Sequence, residues 1–198
     1  MPNISQRALD VPLSPIRKLA SFADRAKAKG RHVYHLNIGQ PDIETPQAAM
    51  ARMRQVDIKV LEYSPTEGWA STRAAFAAAM RKFGVNISKE EVMVTTGASE
   101  GNQLLFFSCF DKGDEVIIPE PFYANYNGFA QIADVVVRPV TSTIETGFAM
   151  PQIQDFERVI NSRTRAIFLN NPSNPTGAFY PRELIEQLAL LVKQYDLY

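Results

Sequence analysis

Runs rich in sheet-forming residues at 91–95, 115–118, 134–137 and 165–169 are separated by stretches with helical spacing of apolar residues at 100–110, 123–132, 152–160 and 181–195. Short strands joined through helices need a crossover between successive strands. Neighbouring strands then run parallel, and helices cover the sheet. The chain therefore reads as an α/β protein with a mostly parallel sheet covered by helices. In open sheets of this kind ligands gather at the carboxyl ends of the strands, so the residues that follow each apolar run are the first place to look for chemistry. No tandem repeat or low-complexity segment interrupts the pattern.

The first third is organised differently. Leu13, Ser14, Pro15 and Ile16 lead into a stretch at 17–30 with Leu19, Ala20, Phe22 and Ala23 at helical spacing, which predicts an arm and a helix stopped by Gly30. Residues 46–54 and the alanine-rich 70–83 also favour helix, the second ended by Gly84. At the other end, a helical stripe closes at Tyr195 and Asp196, and Leu197 and Tyr198 read as the opening of another strand. A domain boundary ordinarily falls in a polar linker, so this end reads as an interruption.

Composition removes several classes of function. The 198 residues are 45% hydrophobic, enough for one well-filled core. Lys plus Arg equals Asp plus Glu at 21 each, so no overall field favours nucleic acid or an acidic membrane surface. Cys109 is the single cysteine and sits in the apolar run 104–110, which suits a packed small residue; neither a disulfide nor a multi-cysteine metal site is available to it. His32 and His35 fall in a short basic stretch and read as surface or local packing residues, so no metal is expected. The start lacks the apolar core of a signal peptide, and no run reaches the ~18 apolar residues of a membrane span. The expectation is a soluble, cytoplasmic protein.

Four polar segments lie where chemistry would. Thr96, Gly97, Ala98 and Ser99 join a predicted strand to a predicted helix: Gly97 permits a tight turn, the first free N–H groups of the helix can face a phosphate, and Thr96 or Ser99 adds a hydroxyl. Ser99 and Glu100 equally fit ordinary helix capping. Pro121, Phe122 and Tyr123 follow the run at 115–118, where a ring can either fill the core or stack on a planar heterocycle. Asn174, in the NPSNPTG run at 171–177, is a neutral carboxamide between prolines that can donate to a phenolate or simply cap its own loop. Gly39, in the run LNIGQP at 36–41, reads as a turn glycine before proline.

In order and approximate spacing these segments resemble the amino-terminal part of the fold-type I pyridoxal 5′-phosphate (PLP) aminotransferases, the branch that includes aspartate aminotransferases. The likeness runs from about Leu36 to the last residue. It implies an incomplete large PLP-binding α/β domain at 46–198, preceded at 1–45 by an amino-terminal arm and helix belonging to the small-domain and dimer region. It also implies that Gly97, Ala98 and Ser99 hold the cofactor phosphate, that Tyr123 stacks on the pyridine ring, and that Asn174 bonds the 3′-oxygen. Gly39 would meet the substrate α-carboxylate through its backbone. Tyr63, in the run EYSPTEGW at 62–69, would reach the phosphate bound by the other subunit of a homodimer, and Arg73 would either brace this loop by ion pairing or touch ligand.

The implied reaction is transfer of an amino group between an L-amino acid and a 2-oxo acid, with aspartate and 2-oxoglutarate the first pair to consider. A PLP-dependent lyase or decarboxylase, or a non-catalytic dimerisation or ligand-sensing module, would be built from the same segments. None of Lys82, Lys89, Lys112 or Lys193 has the sequence context of the family's covalently binding lysine. That lysine, the acid paired with the pyridine nitrogen and the main carboxylate-binding arginine are all expected beyond residue 198. The segment is expected to carry half a site and to be inactive alone.

Overall fold

The structure, a computed structural model, describes residues 2–12, 14 and 17–198; Met1, Leu13, Pro15 and Ile16, three of them in the expected arm, lie outside the described residues. Packing divides the chain into two units, residues 1–33 with 102–198, and residues 34–101, with the division falling just inside a helix.

The first unit is built on three parallel strands, β1 (Glu115–Glu120), β2 (Val136–Thr141) and β3 (Thr164–Ile167), in the order β2-β1-β3. The central strand, β1, is also the most buried, with its first five residues inside. Its alternating side chains feed two cores. Val116 and Ile118 pack with Phe106 of α5 (Ala98–Cys109) and with Tyr126 and Ala130 of α6 (Asn125–Ile132). Ile117 points the other way, to Phe156 of α7 (Ile153–Val159) and Leu188 and Leu191 of α8 (Arg182–Gln194). The period of two along a strand thus places helices on both faces of the parallel, helix-covered sheet that the sequence pattern predicts.

All four expected strands depart from their limits: β1 runs on to Glu120 and β3 covers Thr164–Ile167, each within two residues of expectation, and the other two differ more. β2 extends to Thr141 through Arg138 and Pro139, residues that break the apolar signal. Proline is tolerated there because β2 is an edge strand, with β1 its only neighbour among the described residues. The strand expected at 91–95 is not formed. Ser88 and Glu91 instead make a reciprocal capping box that winds Lys89–Glu91 into a 3-10 turn, and Val94 donates a single backbone bond to Glu67 O at 3.0 Å. Beyond α8, Tyr198 donates to Arg165 O and accepts from Ile167 N at 2.9 and 3.0 Å, the pairing pattern of a parallel ladder on the outer edge of β3.

The amino end of β1 carries a buried charge. Glu115 is fully buried and is bonded by Arg138 through both of its carboxylate oxygens, by Arg163 at 2.7 Å and by Asn161 at 2.8 Å. The Arg138 hydrogen bond, helped by Asn161 and the two positive charges and opposed by burial, lowers the Glu115 pKa to about 2. These contacts join the starts of all three strands: Arg138 belongs to β2, and Arg163 immediately precedes β3. At the near end of the chain, α1 (Gln6–Asp10) is tied to the approach to β2 by a 2.6 Å ion pair between Arg7 and Asp134.

The second unit contains α3 (Gln47–Arg54) and α4 (Ala70–Lys82). Helices at 46–54 and 70–83 are therefore found within a residue of their predicted limits; α2 (Ala20–Ala28), in the first unit, is shorter than the expected 17–30, starting three residues later and ending two earlier. Gly68 has φ +92°, and a Cβ there would lie 2.7 Å from Cβ of Val94, so the turn before α4 has room only for glycine. Among the described residues no helix is long and apolar enough to cross a membrane.

Candidate active site

In the second unit, Thr96 to Ser99 forms an exposed turn at the start of α5. Gly97 adopts φ +148°, and its missing Cβ would meet nothing within 4 Å, so conformation rather than crowding calls for glycine. Thr95 Oγ1 donates to Gly97 O at 2.9 Å, fixing the turn from below. The Glu100 carboxylate accepts from the Thr96 N–H, and that backbone bond, with the Thr96 side chain, lowers its pKa. Glu100 thus closes the turn ahead of α5 rather than capping a first-turn N–H of the helix. The Ser99 hydroxyl has no partner among the described residues, and the first-turn N–H groups of a helix lack acceptors within it. Neutral N–H and hydroxyl donors at a helix start form a donor set that suits a phosphate.

Gly39 lies in an exposed stretch of the same unit, with no positive φ and nothing within 4 Å of the point a Cβ would occupy. Tyr63 is fully exposed, at 102% of its reference area. Arg73, in α4, donates from Nη1 to Lys89 O at 3.2 Å, so it braces the 3-10 turn through a backbone carbonyl rather than a carboxylate; its buried Nε has no partner among the described residues.

The remaining predicted residues lie in the first unit, at the carboxyl end of the sheet. The exit from β1 is pinned to the end of β2: Thr141 Oγ1 donates to the Glu120 carboxylate at 2.6 Å, and Ser142 donates from both N and Oγ to Glu120 O at 2.8 Å. Pro121, Phe122 and Tyr123 follow, all partly buried. Tyr123 meets Tyr126 edge-on, with centroids 5.4 Å apart, and accepts a 2.7 Å hydrogen bond from Asn125 Nδ2.

The 171–177 loop is closed on itself. Asn171 exchanges two bonds with the backbone of Tyr180, accepting from its N–H at 2.9 Å and donating to its carbonyl at 3.2 Å. Ser173 N donates to Ala178 O, and Gly177 N to Ser173 O, at 2.8 and 2.7 Å. With its amide turned to satisfy both ends, Asn170 accepts from Asn174 N at 3.1 Å. All of this holds the backbone. The Asn174 carboxamide itself is exposed and has no partner among the described residues, so it does not cap its own loop.

A small cavity of about 10 Å³ links this loop to the aromatic segment, bordered by Asn174, Asn170, Ser173, Phe122, Tyr126 and Phe168 among others. The structure therefore brings Asn174 beside Phe122 and Tyr126, while Tyr123 touches Tyr126 without bordering the cavity. Gly39, Tyr63, Gly97, Ala98 and Ser99 belong to the other unit. Asn171 and Asn125 are neighbours of the candidate site residues that sequence reasoning passed over. Asn171 stood inside the recognised run, whereas nothing in the sequence distinguished Asn125 from any residue opening a helix. Among the described residues no cluster of three or more His, Cys, Asp or Glu is placed to hold a metal ion.

Known proteins share this sequence pattern and fold. The family described as aminotransferase class I and II matches residues 31–198. An aspartate aminotransferase of Pyrococcus horikoshii is 35% identical over 197 residues, covering 98% of this chain and 49% of that protein. An aspartate/prephenate aminotransferase of Thermus thermophilus is 34% identical over 199 residues, covering 97% and 51%. Among solved structures, an alanine aminotransferase from Pyrococcus furiosus superposes with a TM-score of 0.91 at 32% identity, covering 98% of this chain and 50% of that one. The chain spans about half the length of the curated relatives it matches.

Proposed function

We propose, from the premise that this chain belongs to the aminotransferase class I and II family, that the protein containing it is a PLP-dependent aminotransferase acting between an L-amino acid and a 2-oxo acid. The observation that carries the proposal is Asn174: a carboxamide with no partner of its own among the described residues, held at the tip of a loop whose backbone is fastened by Asn170, Asn171, Ser173 and Gly177. An asparagine needed only for the turn would use its side chain there.

When bound, PLP supplies the electron sink that stabilises negative charge at the substrate α-carbon. The chain's own residues hold and orient it. Gly97, Ala98 and Ser99 offer backbone N–H groups and a hydroxyl to the phosphate. Tyr123 supplies a flat face for the pyridine ring, and Asn174 donates to the 3′-oxygen without adding net charge. The Gly39 backbone meets the substrate α-carboxylate. Tyr63 serves the phosphate held by a second copy in a homodimer with shared sites.

Residues 1–45 then form an arm and helix of the small-domain and dimer region, and 46–198 the first part of the large domain. Aspartate is the first donor to test, since the relatives named above include an aspartate aminotransferase and an aspartate/prephenate aminotransferase. The proposed setting is amino-acid metabolism in the cytoplasm. The experiment is to treat the full-length protein with PLP and then borohydride, look for a covalent adduct by mass, and assay 2-oxo acid release from aspartate. Absence of the adduct would overturn the reading. An adduct accompanied by decarboxylated or eliminated products would reassign the reaction on the same cofactor.

A further inference from the structure

We propose that Asn125 is a positioning residue that sets the plane of the Tyr123 ring against the cofactor, an inference resting on the reading of Tyr123 as the stacking residue. A ring can support a planar cofactor only if its own tilt is fixed, and the half-buried Tyr123 has two side-chain torsions that could change it. Three restraints act on it. The base of its loop is held by Glu120, which takes a side-chain bond from Thr141 and two backbone-directed bonds from Ser142. The ring stands edge to face with Tyr126, which is only 6% exposed and meets Phe168 in turn, with centroids 4.7 Å apart and planes at 83°. That wall cannot yield without disturbing the core. The last restraint is the 2.7 Å bond from Asn125 Nδ2 to the Tyr123 hydroxyl oxygen.

Asn125 opens α6, where an asparagine one position earlier would cap the helix. Here Ala124 occupies the cap position, and the cap makes no side-chain bond. The Asn125 carboxamide instead turns back two residues to the phenol. It anchors the far end of the ring, the point with the longest lever on its tilt, and being neutral it adds no charge beside the cofactor. Loop base, ring edge and hydroxyl together leave the ring one orientation.

A double-mutant cycle in the full-length protein tests this, reading the PLP dissociation constant and the circular dichroism of the bound cofactor. Asn125→Ala should weaken PLP binding about 2- to 12-fold, the range one neutral hydrogen bond supports, and should change the dichroic signal, which depends on how the cofactor is held. Tyr123→Phe keeps the ring and removes the acceptor, so adding Asn125→Ala to it should change neither reading further. Asn125→Ser, too short to reach the phenol yet suited to a helix start, replaces Asn125→Ala if that variant does not fold. Additive effects in the double variant, or Asn125 variants matching wild type in both readings, would overturn the inference while leaving PLP binding intact. A wild-type protein that binds no PLP would overturn the functional reading, and this inference with it.

Discussion

Asn171 and Asn174 stand three positions apart in one loop and should fail in different ways. Asn174→Ala removes a carboxamide with no partner among the described residues, so the melting temperature should stay near wild type while kcat/KM falls. A hydrogen bond to a charged acceptor contributes about 1.5 to 3 kcal/mol, which corresponds to roughly 10- to 150-fold. Asn171→Ala instead breaks two bonds to the Tyr180 backbone and should cost about 1 to 3 kcal/mol of stability. Thermal melts beside kinetics separate the two, and an Asn174→Ala variant with wild-type kcat/KM would make Asn174 structural. Glu115 makes its prediction in pH. Its pKa falls from 4.5 to about 2 on folding, so the carboxylate stabilises the fold above about 4.5, and that contribution disappears as pH drops from there toward 2. With its arginine partners half exposed, the contribution is about 2 kcal/mol after screening. Glu115→Gln should therefore be less stable than wild type at pH 7, and the gap should close on acidification in urea titrations. A gap that is constant with pH would exclude this linkage.

At the scale of elements, the two glycines flanking α4 separate conformation from crowding. Both have positive φ, +92° at Gly68 and +80° at Gly84, but only at Gly68 would a Cβ collide, 2.7 Å from the branched Cβ of Val94. Gly84→Ala should cost about 1 to 2 kcal/mol for the backbone alone, and Gly68→Ala a further 1 to 3 kcal/mol for overpacking. Equal losses in chemical denaturation would mean that the turn and Val94 move apart freely. This contact also explains what the sequence could and could not convey. Helix positions and the parallel alternation were legible because apolar periodicity reports burial directly, most clearly in β1 and α8. The fate of 91–95 was hidden because Val92 and Val94 carry the same β-branched signal in a strand as in an extended segment packed against Gly68. β2 was clipped because Arg138 and Pro139 answer to local needs, a bond to Glu115 and an edge position. At the candidate site, the side chains embedded in motifs could be named in advance, whereas Asn125 and the restraints on Tyr123 depend on tertiary placement.

For the whole molecule, Tyr63 is the residue whose surroundings bear most on assembly. A tyrosine that closed its own loop would pack its ring against that loop, yet the ring is fully exposed and no described residue of this chain bonds its hydroxyl. An aromatic side chain with a polar tip, left bare in a motif that resembles a cross-subunit phosphate contact, fits a place in a second copy. Tyr63→Phe should leave folding nearly unchanged while loosening PLP retention by about 10- to 150-fold, the scale of a hydrogen bond to a charged group. The assignment to the neighbouring subunit is tested by mixing Tyr63→Phe subunits with subunits disabled at the covalently binding lysine expected beyond residue 198. In a mixed dimer, the site that keeps its lysine belongs to the Tyr63→Phe subunit and receives an intact Tyr63 from the disabled one. That site should retain PLP as wild type does, measured by cofactor loss on dialysis of the isolated heterodimer. If it shows the full Tyr63→Phe defect, the hydroxyl acts within its own chain and the shared-site dimer loses its main support.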